Sequence, residues 1–314
     1  MLTIEMIHQA EKRISPYINK TPLIRVENLD SFMACQVNIK MESLQKSNSF
    51  KFRGAVNRLL TLPDELVKKG LVTVSSGNHG KAMACAAKMF GVKAHVVVPE
   101  TAPKIKIDGI RSFGAEIIHS GQAERFDLGQ ELSEKNDWFY VSPFDDYEIM
   151  AGQGTAALEI LEEMPQVDYI LAPIGGGGLI SGLSTAIKKI NPQVKVIGVE
   201  PAAVPSYSKS LEAGHPVSLD SNSRSVADGL QTLRPGELNY PIIEKYVDEV
   251  VTVDEDYIIK ATKIILNEGK LLAEFSSCIT FGAILQGKIK LKKEDKVVFL
   301  LSGGNIGLEQ INKF

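Results

Sequence analysis

Cysteine is scarce in this chain. Cys35, Cys85 and Cys278 are odd in number and form no CxxC pair, which argues against a disulfide framework and favours free thiols in a reducing compartment. Histidine is also sparse, and His8, His79, His95, His119 and His215 include no HxxxH spacing, so zinc chemistry has no ligand pattern to use. No apolar run approaches the roughly 18 residues expected of a membrane span. The first residues carry no basic stretch followed by an apolar one, so no secretory signal is expected and the cytoplasm is the expected location. Thirty-five Lys and Arg against 38 Asp and Glu leave a net charge of -3 without a basic block, which speaks against nucleic acid or an anionic membrane as partner.

What is present is a globular composition, 314 residues with 44% apolar side chains, long enough for two domains. Strand-like runs at 37–41, 71–74, 94–98, 116–118, 169–172, 194–199, 249–253 and 297–301 alternate with helical stretches at 80–90, 107–113, 154–163, 179–190 and 258–267. Such alternation predicts βα units: an α/β fold with open, twisted parallel sheets and flanking helices. Two pauses interrupt it, the turn-rich Ser142-Pro143-Phe144-Asp145-Asp146 and the Ser- and Pro-rich 201–222, which reads as irregular. If the first is a crossover, 53–146 forms a small domain inserted into a large one made of 1–52 and 147–314.

Three strands end in a small polar glycine loop: Ser75-Ser76-Gly77-Asn78-His79-Gly80, Gly175-Gly176-Gly177-Gly178, and Ser302-Gly303-Gly304-Asn305. Ligands in open α/β sheets bind outside the carboxyl ends of strands, so three such loops predict one shared crevice. Four successive glycines let backbone N–H groups converge on an anion, and the helix after them adds its positive end, which makes phosphate the natural guest. A tight turn alone would need only one or two. No Lys-[Ser/Thr] follows, so this is not a P-loop. Gly176, Gly178 and Ser181 approach a dinucleotide fingerprint, with Glu200 placed where a ribose-binding acid would lie. A nicotinamide enzyme therefore competes.

The run Ser49-Phe50-Lys51-Phe52-Arg53-Gly54-Ala55 puts a lysine between two aromatics with a cation two residues on. Apolar walls and a neighbouring cation both favour a neutral amine, able to form an imine with an aldehyde. A lysine by itself is more often a surface residue. This run resembles the cofactor-lysine motif of the serine/threonine dehydratase and serine racemase family, pyridoxal-phosphate enzymes of fold type II. The likeness continues in order through the Ser75 loop, Ala151-Gly152-Gln153-Gly154-Thr155, the tetraglycine, Val199-Glu200-Pro201, Ala227-Asp228-Gly229 and the Ser302 loop, spanning Thr21 to Asn305.

The resemblance implies a two-domain fold with pyridoxal phosphate in the crevice between the domains. It implies that Lys51 is both the imine lysine and the base at the substrate Cα. Phe50 packs on the pyridine ring, Asn78 bonds its 3-oxygen, and Gly229 lines its edge. Gly175, Gly176, Gly177, Gly178 and the Leu179 N–H cradle the phosphate. Ser302 meets the pyridine nitrogen; a hydroxyl there is expected to leave that nitrogen neutral and the ring a weaker electron sink. Ser75, Ser76, Asn78 and His79 bind the substrate carboxylate, and Ser76 also matches the position of the racemase's second acid/base. Glu200, the Val204 carbonyl and Ser206 are the implied cation site, where one carboxylate suits K⁺ over a divalent ion. A homodimer is implied too. Phe144 and the pattern around it resemble the dehydratases more than the racemase, so the expected reaction is loss of water and ammonia from threonine or serine. Serine racemisation, phenylserine and 3-hydroxyaspartate stay open.

Overall fold

The computed structural model describes residues 1–311 except Pro103, Gln122, Ala123 and Ser221. Among the described residues ten strands, numbered in chain order, form two sheets. Leu23–Arg25 (β1), Gln36–Met41 (β2), Tyr169–Pro173 (β7), Lys195–Pro201 (β8), Glu249–Val253 (β9) and Lys296–Leu301 (β10) make the larger, in the order β1-β2-β10-β7-β8-β9. Leu71–Val74 (β3), Ala94–Pro99 (β4), Glu116–Ser120 (β5) and Phe139–Tyr140 (β6) make the smaller, ordered β5-β4-β3-β6. Every pairing is parallel except β1 with β2. The larger sheet therefore draws on two separated parts of the chain, with its last strand at the centre.

Parallel strands covered on both faces should be apolar throughout, and β10 is. Val298 and Leu300 enter the core under the helices Tyr147–Glu163 and Gly178–Ile190, while Val297, Phe299 and Leu301 enter the core under Glu255–Asn267 and Phe275–Leu285. This is the two-residue period of a strand sorting side chains between two layers.

The helix Lys51–Leu60 crosses Tyr147–Glu163 at glycine. A Cβ added to Gly152 would lie 2.6 Å from the Gly54 Cα and 2.7 Å from the Arg53 carbonyl. The 151–155 motif thus belongs to packing: it brings one backbone against another and fixes the helix that begins at Lys51. One expectation fails. The 201–222 stretch, read as irregular, contains the helix Ser206–Ala213. Its initiation depends on a distant partner: the Glu200 carboxylate accepts hydrogen bonds from the Tyr207 N–H at 2.9 Å and the Ser208 N–H at 2.7 Å. A cap delivered by a strand end leaves no local signal of the usual kind.

Candidate active site

Because β2, β10 and β7 are parallel neighbours, their carboxyl ends emerge side by side. Met41 pairs with Leu301 and Leu171 with Phe299, so the Lys51 segment, the Ser302 loop and the tetraglycine loop leave the same edge. The Phe50 N–H donates to the Ser302 carbonyl at 3.0 Å, and Ser49 bridges to Gly303. Lys51 opens its helix with Phe50 as the preceding cap residue. Its Nζ donates to the Pro143 carbonyl at 2.6 Å and lies 5.2 Å from the Phe50 ring centroid. Removal from water lowers the amine to about 8. Arg53, expected to share in that effect, has no part in it: its guanidinium is turned away and neutralised by Glu42 and Glu159.

Gly177 has φ +94 and a Cβ there would lie 2.1 Å from the Tyr207 hydroxyl, which donates to the Gly176 carbonyl at 2.9 Å. The Phe144 ring covers Gly176 on another side. The loop ends at the helix Gly178–Ile190, which has no acidic residue in its first turn. The first N–H groups of a helix have no partner within it, so those of Gly178 and Leu179 are available to an anion. A phosphate fits this cradle by charge.

The third loop comes from the smaller sheet. Gly77 precedes the helix Asn78–Phe90 without a side-chain cap, while the Ser75 hydroxyl accepts from the Gly77 N–H at 3.2 Å. His79 is buried, neither ring nitrogen makes a well-formed hydrogen bond, and burial with the nearby Lys51 charge keeps it neutral, well below its usual range. Asn78 is held on both sides: its amide N–H donates to Glu274 Oε1 at 2.7 Å and its oxygen accepts from Asn305 Nδ2 at 2.7 Å. One amide hydrogen remains free to donate. The Gly229 N–H donates to the Ser276 hydroxyl at 3.0 Å, and the Gly229 carbonyl backs onto Gly175. The Lys51 segment, tetraglycine, Asn78, Gly229 and Ser302 are thus joined by a continuous series of short contacts.

Glu200, Val204 and Ser206 stand behind the tetraglycine, reached through Tyr207. The Glu200 carboxylate and the Val204 carbonyl both face backbone N–H groups around the helix Ser206–Ala213. Glu200 is therefore not positioned on a ribose, as the dinucleotide alternative required.

Glu274 was not legible in the sequence. It is buried at the head of Phe275–Leu285, beside Asn78 and under Gly303, and burial, reinforced by the Asp228 charge, raises it to about 7. A carboxyl raised above its ordinary 4.5 favours folding fully below that value and loses this contribution as pH climbs through about 7. The shift corresponds to about 3 kcal/mol at most. Glu274→Gln is therefore expected to gain stability over the wild type at pH 8 and little at pH 5, as read by urea unfolding of the apoprotein. An equal difference at both pH values would contradict the assignment.

The larger of two open sheets thus carries a water-poor amine and an anion cradle at the same strand ends. The model of the family described as pyridoxal-phosphate dependent enzyme matches residues 14–303, and the chain belongs to that family. The L-threonine ammonia-lyase of Thermotoga maritima is 39% identical over 315 residues, covering 100% of this chain and 78% of its own. The serine racemase of Dictyostelium discoideum is 39% identical, covering 99% of this chain and 97% of its own. The structure of maize serine racemase superposes with a TM-score of 0.95 at 35% identity, covering 99% of this chain and 96% of that one. No helix among the described residues is long and apolar enough to cross a membrane.

Proposed function

We propose that the chain is a pyridoxal-phosphate-dependent ammonia-lyase that converts threonine or serine to a 2-oxo acid and ammonia. The observation that carries this is the water-poor Lys51 amine beside the Ser302 loop, at the same sheet edge as the tetraglycine cradle. When bound, the cofactor supplies an aldehyde and an electron-withdrawing ring. The protein's own residues do the rest. The N–H groups of Gly175, Gly176, Gly177, Gly178 and Leu179 hold the phosphate. Phe50 and Gly229 would confine the ring, Asn78 has an amide hydrogen free for the 3-oxygen, and Ser302 would meet the ring nitrogen. Ser75, Ser76, Asn78 and His79, at the start of a helix, hold the substrate carboxylate where backbone donors and the positive helix end favour an anion. Lys51 would hold the cofactor aldehyde and would serve as the base at the substrate Cα, since an amine near 8 is an effective base at neutral pH.

Racemisation needs a second acid/base on the face opposite Lys51, and Ser76 is the candidate. Phe144, packed on Gly176 where the racemase pattern has a polar residue, supports elimination. The reading extends to a cytoplasmic homodimer of two domains, 53–146 and the remainder, with K⁺ at Glu200, Val204 and Ser206. A panel of threonine, serine, phenylserine and 3-hydroxyaspartate, scored for both 2-oxo acid and enantiomer, tests it. Threonine and serine should give 2-oxo acid faster than enantiomer. Enantiomer as the main product, or no reaction with either, would overturn the assignment.

A further inference from the structure

Successive glycines can hold their peptide planes in more than one orientation, because no side chain resists the rotation. One plane of the tetraglycine loop is pinned. The Tyr207 hydroxyl donates to the Gly176 carbonyl at 2.9 Å, and among the described residues it is the one donor bonded to that oxygen. The direction of this bond is settled, since a carbonyl has no proton to give. In a trans peptide the carbonyl and the following N–H point to opposite sides, and the described residues include no cis bond. Holding the Gly176 carbonyl toward Tyr207 therefore turns the Gly177 N–H away from the core behind the loop. Turned over, the same plane would present an oxygen where the N–H stands, and an anion would be repelled rather than held.

Tyr207 is itself well anchored. It is fully buried and shares its core with Leu179, Ile180, Ile242 and Ile243. Its N–H is bonded to Glu200 on β8, the parallel neighbour of the β7 strand from which the tetraglycine departs. Gly177 leaves the space that the hydroxyl needs, since a Cβ there would stand 2.1 Å from the phenol oxygen. Burial pushes the phenol well above its usual range, so the donor persists through neutral pH.

We propose that Tyr207 is a positioning residue for the phosphate: by holding the Gly176 carbonyl it keeps the Gly177 N–H turned to the anion, and so sets the preference for a phosphorylated cofactor over the same cofactor without phosphate. The inference rests on the proposed cofactor site. Tyr207 stands behind the loop and acts through it, so its effect is confined to the phosphate end of the ligand and leaves the ring and the Lys51 amine alone.

The test compares the dissociation constants of pyridoxal phosphate and of pyridoxal for the apoprotein, read by absorbance titration, which reports binding and not turnover. The wild type should bind the phosphorylated form far more tightly. In Tyr207→Phe the affinity for pyridoxal phosphate should fall roughly tenfold, the effect of one hydrogen bond lost in a buried site, while that for pyridoxal stays within about twofold. A merely structural loss would weaken both ligands alike. Replacing Tyr207 by 4-fluorophenylalanine fills the space of the hydroxyl without a proton to give; it should behave as Tyr207→Phe does, and it decides the matter if the Phe variant does not fold. Replacement by 4-aminophenylalanine restores a donor and should restore the wild-type preference. An unchanged preference in the two variants that lack a donor, or an equal loss for both ligands, overturns the inference while leaving the proposed function intact. A wild type that binds pyridoxal as tightly as pyridoxal phosphate overturns the proposed cofactor site and the inference with it.

Discussion

Lys51→Ala is expected to yield a folded protein that has lost its covalent hold on pyridoxal phosphate and nearly all turnover. Treating the loaded wild type with borohydride should fix the cofactor on the peptide containing Lys51, and the variant should carry none. Loss of the base alone removes roughly 10²–10⁴-fold in rate; loss of the covalent link adds to that. The variant should still retain cofactor non-covalently, because the N–H cradle of the tetraglycine loop and the free Asn78 hydrogen do not involve the amine. The local structure also predicts a pH effect. Only the neutral amine attacks an aldehyde, and loss of water around the half-buried Lys51 lowers its amine to about 8 from its ordinary 10.5. Reconstitution of the apoprotein should therefore quicken as pH rises and level off above about 8. Turnover of Lys51→Ala within tenfold of wild type would end the proposal.

Much of this site was readable because its chemistry is local. Four adjacent glycines, a serine-glycine turn after an apolar strand, and a lysine between two phenylalanines announce themselves within a few residues. The strands were equally plain: 71–74 and 249–253 were placed residue for residue, and β10 within one. The edge strands β1 and β6, of three and two residues, were too short to show a period. Glu274 and Ser277 escaped for a different reason. Each matters through a partner tens or hundreds of residues away, as with Glu274 and Asn78 or Ser277 and Ser302. A serine in an apolar helix looks like any other small residue until its neighbours are known.

Arg53 is a residue whose meaning changed with its surroundings, and its replacement by methionine carries the largest expected cost in stability. The side chain is fully buried on the helix that starts at Lys51. Its Nε and Nη2 donate to the two Glu42 oxygens, each at 2.8 Å, and its Nη1 and Nη2 donate to Glu159 at 2.7 and 2.8 Å. Thr155 and Thr21 accept further bonds at 3.1 and 3.2 Å. Lys40, also buried, meets Glu159 at 2.7 Å. Two cations and two carboxylates thus balance in a dry site. Removing one partner of a buried pair costs about 3–5 kcal/mol, because the other charge is left without compensation. Lysine is no substitute, as it lacks the fork that serves two carboxylates at once. The pH dependence identifies the cause. Burial alone would raise Glu42, but Arg53 more than offsets it and holds the carboxyl below its ordinary 4.5. In the wild type that stabilisation is present above about 4.5 and fades as pH falls through the lowered value. In Arg53→Met the stranded Glu42 can relieve itself only by taking up a proton, so the variant should recover ground as pH drops. The gap in urea midpoint should be widest near pH 8 and narrow toward pH 4, and adding Glu42→Gln should restore part of the loss at pH 8. A gap independent of pH would mean that Arg53 acts by packing rather than by charge. Because these carboxylates come from the segment before Lys51 and from the helix Tyr147–Glu163, the same replacement loosens the seat of the cofactor lysine. Cofactor affinity should fall together with stability, and recover with it in the double variant.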